Sequence, residues 1–186
     1  MTNSYVRNIN EGRISGAVFI DLPKAFDTVN HKILIRKLHS FGIDGKAAVW
    51  LTNYLMDRKQ QVSIGDTMSD ILPIHTGIPQ GSILGPLLFV LFINDLPDCL
   101  ENSVAHMFAD DTTIVSSDHN IEGLTSKLNA DMLLLQNWLN KNKLILNVKK
   151  SVSMLITTHQ KRRFINETDF KIYINNEELT DRKSVV

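Results

Sequence analysis

Cysteine is nearly absent: Cys99 is the one thiol in 186 residues. A lone thiol excludes an intrachain disulfide framework and a zinc site built on cysteines. It suits a reducing compartment. Net charge is absent too, since 20 Lys and Arg balance 20 Asp and Glu. No apolar run is long enough to span a bilayer. The most apolar stretch, Ile83 to Ile93, falls short of the roughly 20 residues required, contains Gly85-Pro86 and meets Asn94 and Asp95 at once. It predicts a buried helix over 84–96. The N-terminal MTNSYVRNINEGR is polar and lacks the apolar centre of a secretory leader. The six histidines are scattered without zincin-like spacing, so none is given a metal role. No internal repeat or low-complexity linker is visible.

Hydrophobic residues make up 43% and charged residues 22%, the profile of a globular domain rather than a disordered tail. One domain is expected, or one domain plus a partial neighbour, burying roughly two-thirds of the surface its unfolded chain exposes. The zero charge conceals a segregation. Residues 1–140 carry 10 Lys/Arg and 15 Asp/Glu, a balance of −5. Residues 141–163 carry 7 basic residues and no acid, and residues 164–186 carry 3 against 5. Such a basic stretch is either a surface for a polyanion or a solvated charged face.

The pattern of apolar residues predicts a mixed fold. Residues 15–22 form a short apolar run ending in an acid, read as a buried strand. Helical spacing covers 24–41 (Phe26, Val29, Ile33, Leu34, Leu38, Phe41), ended by Gly42. A second helix spans about 45–57, with Val49, Trp50, Leu51, Tyr54 and Leu55 on its buried side. Residues 61–64 and 71–74 read as strands of a hairpin around Gly65-Asp66. Residues 77–86 hold three glycines and two prolines, hence a loop. Segments 103–108 and 112–117 are strand-like, joined by Ala109-Asp110-Asp111. Residues 121–141 form an amphipathic helix, and 144–148, 152–157 and 170–174 are further strand candidates. Helices and antiparallel strands mix without βαβ alternation, so the class is α+β. Trp50 and Trp138 fall on apolar helical faces and are read as core, and Cys99 as a small half-buried residue.

Asp21 closes the first strand, and Asp110 and Asp111 sit side by side in a tight connection. Strand ends far apart in sequence can be neighbours in a sheet. Three carboxylates gathered there would repel one another unless cations neutralise them. Hard divalent ions favour such an all-oxygen set and keep sites open for water and phosphate. On spacing alone such a pair is more often ordinary turn chemistry, because Asp favours such conformations.

Three longer motifs shift that balance. Val18-Phe19-Ile20-Asp21-Leu22-Pro23-Lys24-Ala25-Phe26-Asp27-Thr28-Val29-Asn30-His31 resembles the first palm motif of reverse transcriptases from non-LTR retrotransposons. Gly77-Ile78-Pro79-Gln80-Gly81-Ser82-Ile83-Leu84-Gly85-Pro86 resembles their second motif. Phe108-Ala109-Asp110-Asp111 resembles the third, an aromatic-x-Asp-Asp turn. Order and spacing match over residues 16–157, and AFDTVNH, PLLFVLFINDLP and MFADDT are closest to jockey-like elements.

The resemblance implies an RNA-directed DNA polymerase: a palm-like antiparallel sheet packed against helices. Its partners would be an RNA template, a DNA primer and deoxynucleoside triphosphates, with no membrane. Two Mg²⁺ ions, with Mn²⁺ as substitute, would be held by Asp21, Asp110 and Asp111. Leu22, Phe26, Gln80 and Gly81 match positions at the nucleotide, Phe26 as the ring that excludes a 2′-hydroxyl by clash. Periodicity alone places Phe26 in the core instead, and the glycines serve equally to tighten a loop before a helix. Lys150 matches a lysine that would protonate the departing pyrophosphate. Lys149 adjoins it, so that assignment can slip by one residue. Lys141, Lys143, Lys149, Lys161, Arg162 and Arg163 are the nucleic-acid-binding candidates. Cytoplasm and nucleus are the compartments expected for the family.

The match also sets expectations of incompleteness. Residues 1–15 read as a residual finger or linker segment, 16–157 as palm with partial fingers, and 158–186 as the truncated approach to a primer-grip hairpin. The endonuclease, thumb and remaining finger segments of a parental polyprotein are expected elsewhere, so the isolated chain is expected to polymerise poorly or not at all. The alternative is an inactive relic that at most binds nucleic acid. Pro23 departs from the family's small polar residue, removing a backbone donor where a triphosphate would be expected to bind.

Overall fold

The computed structural model describes residues 2–79, 81–163, 165 and 169–181. The elements of the first half are α1 (Thr2–Asn10), β1 (Ile14–Ile20), α2 (Ala25–Thr28), α3 (His31–Ser40), α4 (Gly45–Leu55), β2 (Lys59–Gln60), β3 (Ser63–Ile64), β4 (Thr67–Met68), β5 (Leu72–Pro73) and α5 (Gly85–Ile93). A 3₁₀ turn (Pro97–Cys99) leads to β6 (Val104–Phe108), β7 (Asp111–Asp118), α6 (Ile121–Asn142), β8 (Val152–Ile156), α7 (His159–Arg162), β9 (Tyr173–Ile174), β10 (Glu177–Glu178) and β11 (Thr180–Asp181). Helices and a largely antiparallel sheet confirm the α+β class. The chain divides into two compact units, one of residues 1–23, 95–141 and 145–186, the other of 24–94 and 142–144.

The first unit is a five-stranded sheet in the order β11-β8-β1-β7-β6. β1 is central, antiparallel to both β7 and β8. That position explains its sequence: ISGAVFI does not alternate because almost every residue of the strand is buried. Gly16 is where α6 lies directly on the strand. A Cβ there would come 2.6 Å from Leu128 Cδ1 and 3.1 Å from the Phe170 ring. α6 buries Leu124, Leu128, Met132, Leu135, Trp138 and Leu139 at the predicted helical spacing. It also buries Asp131 completely. That carboxylate accepts hydrogen bonds from the N–H groups of Glu101 and Asn102 and from Asn102 Nδ2, fixing the entry to β6. Asn175 and Asn176, both at positive φ, turn β9 back into β10, as a two-residue hairpin loop demands. Asn129 of α6 holds this hairpin through Tyr173 N–H and the Lys171 carbonyl.

Residues 144–148 do not form the expected strand. The Asn147 N–H donates to the Asp21 carbonyl, and residues 148–150 form a turn, so no ladder is available to them.

The second unit packs α3, α4 and α5 around Ile33, Leu34, Leu38, Leu55, Leu88, Phe89 and Phe92. The predicted continuous helix over 24–41 is broken. Lys24 is left-handed (φ 51°), α2 is one turn long, and Asn30 starts a new helix by accepting from Ile33 N–H. The physical cause is a competing partner: the backbone of 26–31 bonds to 75–78, which a continuous helix would forbid. α4 forms where expected, but Val49 and Trp50 are exposed at 61% and 56%, and Ala48 and Leu55 are its buried residues. Trp50 is thus a surface residue, stacked on Tyr54. The hairpin around Gly65-Asp66 is present but interrupted, β3 pairing with β4 and β2 with β5. Ser69 breaks it by bonding back to Val62 through both its N–H and its hydroxyl. Within the buried helix expected over 84–96, α5 covers Gly85–Ile93, with Leu87 and Val90 exposed. No described helix is long and apolar enough to cross a membrane.

Candidate active site

Three segments of the first unit meet at one end of its sheet. β1 and β7 pair in a register that ends at Ile20 opposite Thr112. The next residue on each strand is an acid, Asp21 on one and Asp111 on the other. β7 folds back on β6 through a two-residue loop, Ala109-Asp110, because Phe108 pairs with Asp111. Ala109 has φ 52°, a left-handed conformation that costs a non-glycine residue energy. The tight loop holds Asp110 beyond the strand end, where Asp110 and Asp111 are both exposed. Asp21 is half-buried.

Asp21 is fixed by its backbone. Its N–H donates to Ser151 Oγ at 3.1 Å, and its carbonyl accepts from Asn147 N–H at 3.0 Å. Ser151 is fully buried, and its hydroxyl donates in turn to the Asn147 carbonyl at 2.9 Å. Lys150 N–H bonds to that same carbonyl at 3.2 Å. The turn that carries Lys149 and Lys150, both exposed, is therefore tied to the backbone of Asp21 itself. Ser151 and Asn147 hold the Asp21 backbone, a contact that the sequence pattern does not announce. Their only signal was two short polar residues bracketing a basic turn before a strand.

The donor chemistry of Asp21, Asp110 and Asp111 suits a hard divalent cation: carboxylate oxygens only, at adjacent strand ends and open to solvent. Among the described residues no three acidic, histidine or cysteine side chains form a ready-made metal cluster.

The other candidates divide between the units. Leu22 is 5% exposed and belongs to the core. In the second unit Phe26 is half-buried, its ring stacked on Phe89 with centroids 4.4 Å apart. That contact satisfies the core reading for one face of the ring. Gly81 has φ 77° and nothing within 4 Å of an added Cβ, an open backbone position. Gln80 lies outside the described residues. Of the basic stretch, Lys141, Lys143, Lys149 and Arg163 are exposed and Arg162 is half-buried. Lys161 is half-buried too, and its ammonium donates to the Gly12 carbonyl, which gives it a structural task.

Residues 4–175 match the family model described as reverse transcriptase (RNA-dependent DNA polymerase). The chain belongs to the reverse transcriptase family. Over 143 residues it is 29% identical to the RNA-directed DNA polymerase from mobile element jockey of Drosophila melanogaster, covering 73% of this chain and 16% of that protein. Over 167 residues it is 30% identical to the probable RNA-directed DNA polymerase from transposon BS of the same species, covering 84% and 18%. The chain thus spans less than a fifth of these relatives. Telomerase from Candida tropicalis, solved with a TWJ fragment of telomeric RNA, shares the fold with a TM-score of 0.62 at 12% identity, covering 83% of this chain and 28% of that one. Telomerase from Candida albicans, likewise with a TWJ fragment, gives 0.62 at 13%, covering 96% and 32%. A polymerase-palm-like sheet on helices, as the motifs implied, is what this reverse transcriptase domain adopts.

Proposed function

We propose that these residues are the catalytic palm, with part of the fingers, of an RNA-directed DNA polymerase from a non-LTR retrotransposon. The observation that carries this reading is the Ile20–Thr112 register, which sets Asp21 beside the Asp110-Asp111 turn. The reaction joins a primer 3′-oxygen to the α-phosphorus of a deoxynucleoside triphosphate on an RNA template. One P–O bond forms, one breaks, and pyrophosphate leaves.

Asp21, Asp110 and Asp111 would hold the divalent ions, Mg²⁺ or Mn²⁺. When bound, such ions supply charge stabilisation for an in-line phosphoryl transfer. The chain's own residues do the positioning. Ser151 and Asn147 fix the backbone from which the Asp21 carboxylate projects. The strained Ala109 loop presents Asp110. Lys150 donates a proton towards the departing pyrophosphate. Phe26 presses a ring, braced on Phe89, against the sugar and rejects a 2′-hydroxyl by clash. Gly81 lets backbone approach the nucleotide, and Gln80 serves with it. The exposed lysines and Arg163 contact phosphates without reading sequence.

The test is primer extension on an RNA template by the natural reading frame that contains these residues. Asp110→Ala should abolish extension while leaving salt-dependent RNA binding nearly intact. Equal loss of both, or undiminished extension, contradicts the role given to Asp110.

A further inference from the structure

Within the second unit, residues 26–31 and 75–78 lie backbone to backbone. Ile78 N–H donates to the Phe26 carbonyl at 2.9 Å, and Gly77 N–H to the Val29 carbonyl at 2.8 Å. Asn30 and Thr76 form an antiparallel bridge between them. The approach is close enough to require glycine: at Gly77, with φ +90°, a Cβ would come 2.9 Å from the Asp27 carbonyl oxygen.

One side chain closes this seam. His31 is 1% exposed, and its Nε2 lies 2.6 Å from the Gly77 carbonyl oxygen. A carbonyl oxygen only accepts, so Nε2 carries the proton that it donates to Gly77. Nδ1 is buried with no hydrogen-bond partner among the described residues. A residue wanted only for packing would be apolar there, since an unsatisfied buried nitrogen costs stability. What the imidazole supplies, and an apolar side chain cannot, is the bond to Gly77.

We infer that His31 is a positioning residue: its imidazole latches the 77–81 loop to the segment carrying Phe26, and so sets how tightly and selectively a deoxynucleotide is held. This rests on the polymerase reading above. Phe26 and Gly81 are the proposed nucleotide contacts, and the Ile78–Phe26 hydrogen bond joins their segments directly. Loosening Gly77 moves both contacts together. The effect falls on nucleotide binding and sugar choice rather than on the chemical step.

Two measurements test it. The first is amide exchange in the 186-residue chain. Removing the donor in His31→Leu should speed exchange at Gly77 and Ile78 while the α5 amides stay protected. His31→Gln, whose amide reaches the Nε2 position, should restore protection. If His31→Leu exposes the α5 amides as well, His31→Asn, polar but too short to reach Gly77, takes its place. Unchanged exchange at Gly77 and Ile78 overturns the latch. The second is steady-state extension by the natural reading frame. His31→Leu should raise KM for deoxynucleotides about tenfold, with kcat little changed, and raise ribonucleotide incorporation, both reversed in His31→Gln. Faster exchange with unchanged KM and unchanged sugar choice overturns the positioning role. A wild-type frame that extends nothing defeats the polymerase reading and the nucleotide role with it, while the exchange result still decides the latch.

Discussion

Asp21 and Asp111 are the next residues beyond a register pair, Ile20 opposite Thr112, on neighbouring antiparallel strands. Separated by 90 positions in the chain, they are brought to one sheet end by the pairing of β1 with β7. The sheet does this with no help from side chains, so the arrangement is as stable as the central ladder itself. What the ladder does not fix is the direction of Asp21, and that task falls to Ser151.

Ser151→Ala removes the oxygen that accepts Asp21 N–H and the hydroxyl that donates to the Asn147 carbonyl. The Asp21 N–H is then left without that partner at a part-buried site, while the Asn147 carbonyl keeps the N–H groups of Lys150 and Ser151. The expected cost is about 1–3 kcal/mol of folding stability. Chemical denaturation of the 186-residue chain measures it. Extension by the natural frame should fall further than stability explains, because the Asp21 backbone loses its anchor. A fully stable variant of normal activity would show that Ser151 positions nothing.

Gly16→Ala places a methyl group 2.6 Å from Leu128 Cδ1 and 3.1 Å from the Phe170 ring. Leu128 has other rotamers, but it is fully buried in α6 and has little room to use them. Overpacking of this kind costs roughly 1–3 kcal/mol. The double variant Gly16→Ala with Leu128→Ala should lose less than the sum of the two single variants. Additive losses in a denaturation cycle would contradict the contact.

Much of the first unit is legible in the sequence because its signals are local and uncontested. The unbroken apolar run of 15–22 announces a strand covered on both faces, and the long apolar stripe of 121–141 announces a helix. The acids at positions 21, 110 and 111 stand out by motif, and the sheet register brings the Asp21 and Asp111 positions to one strand end. The failures share one cause: a distant partner that no local pattern reports. Residues 26–31 have helical spacing, yet their backbone is taken by 75–78. Residues 144–148 look like a strand, yet the Asn147 N–H is taken by Asp21. Trp50 sits at an apolar helical position and yet is 56% exposed. His31 and Ser151 gave no signal as single residues, because their importance lies in which backbone group each one reaches.

Cys99 offers a test of local electrostatics. Burial pushes its thiol up to about 11, with the carboxylates of Asp131 and Asp95 adding to the effect. The ordinary thiol value is near 8.5. Both causes disfavour the thiolate, so the reactive anion is suppressed until pH approaches the raised value. Iodoacetamide labelling of the folded chain at pH 8.5 should be many-fold slower than that of the urea-unfolded chain. The two should converge only as pH nears 11. Equal labelling rates at pH 8.5 would contradict the burial.

In the proposed site, carboxylates from two separate strands share divalent ions. Manganese binding, read by electron paramagnetic resonance on the 186-residue chain, tests it without requiring catalysis. Bound Mn²⁺ should be lost or strongly weakened in Asp21→Asn and, separately, in Asp110→Asn, with the fold of both variants intact. Undiminished binding in either folded variant would contradict the shared site.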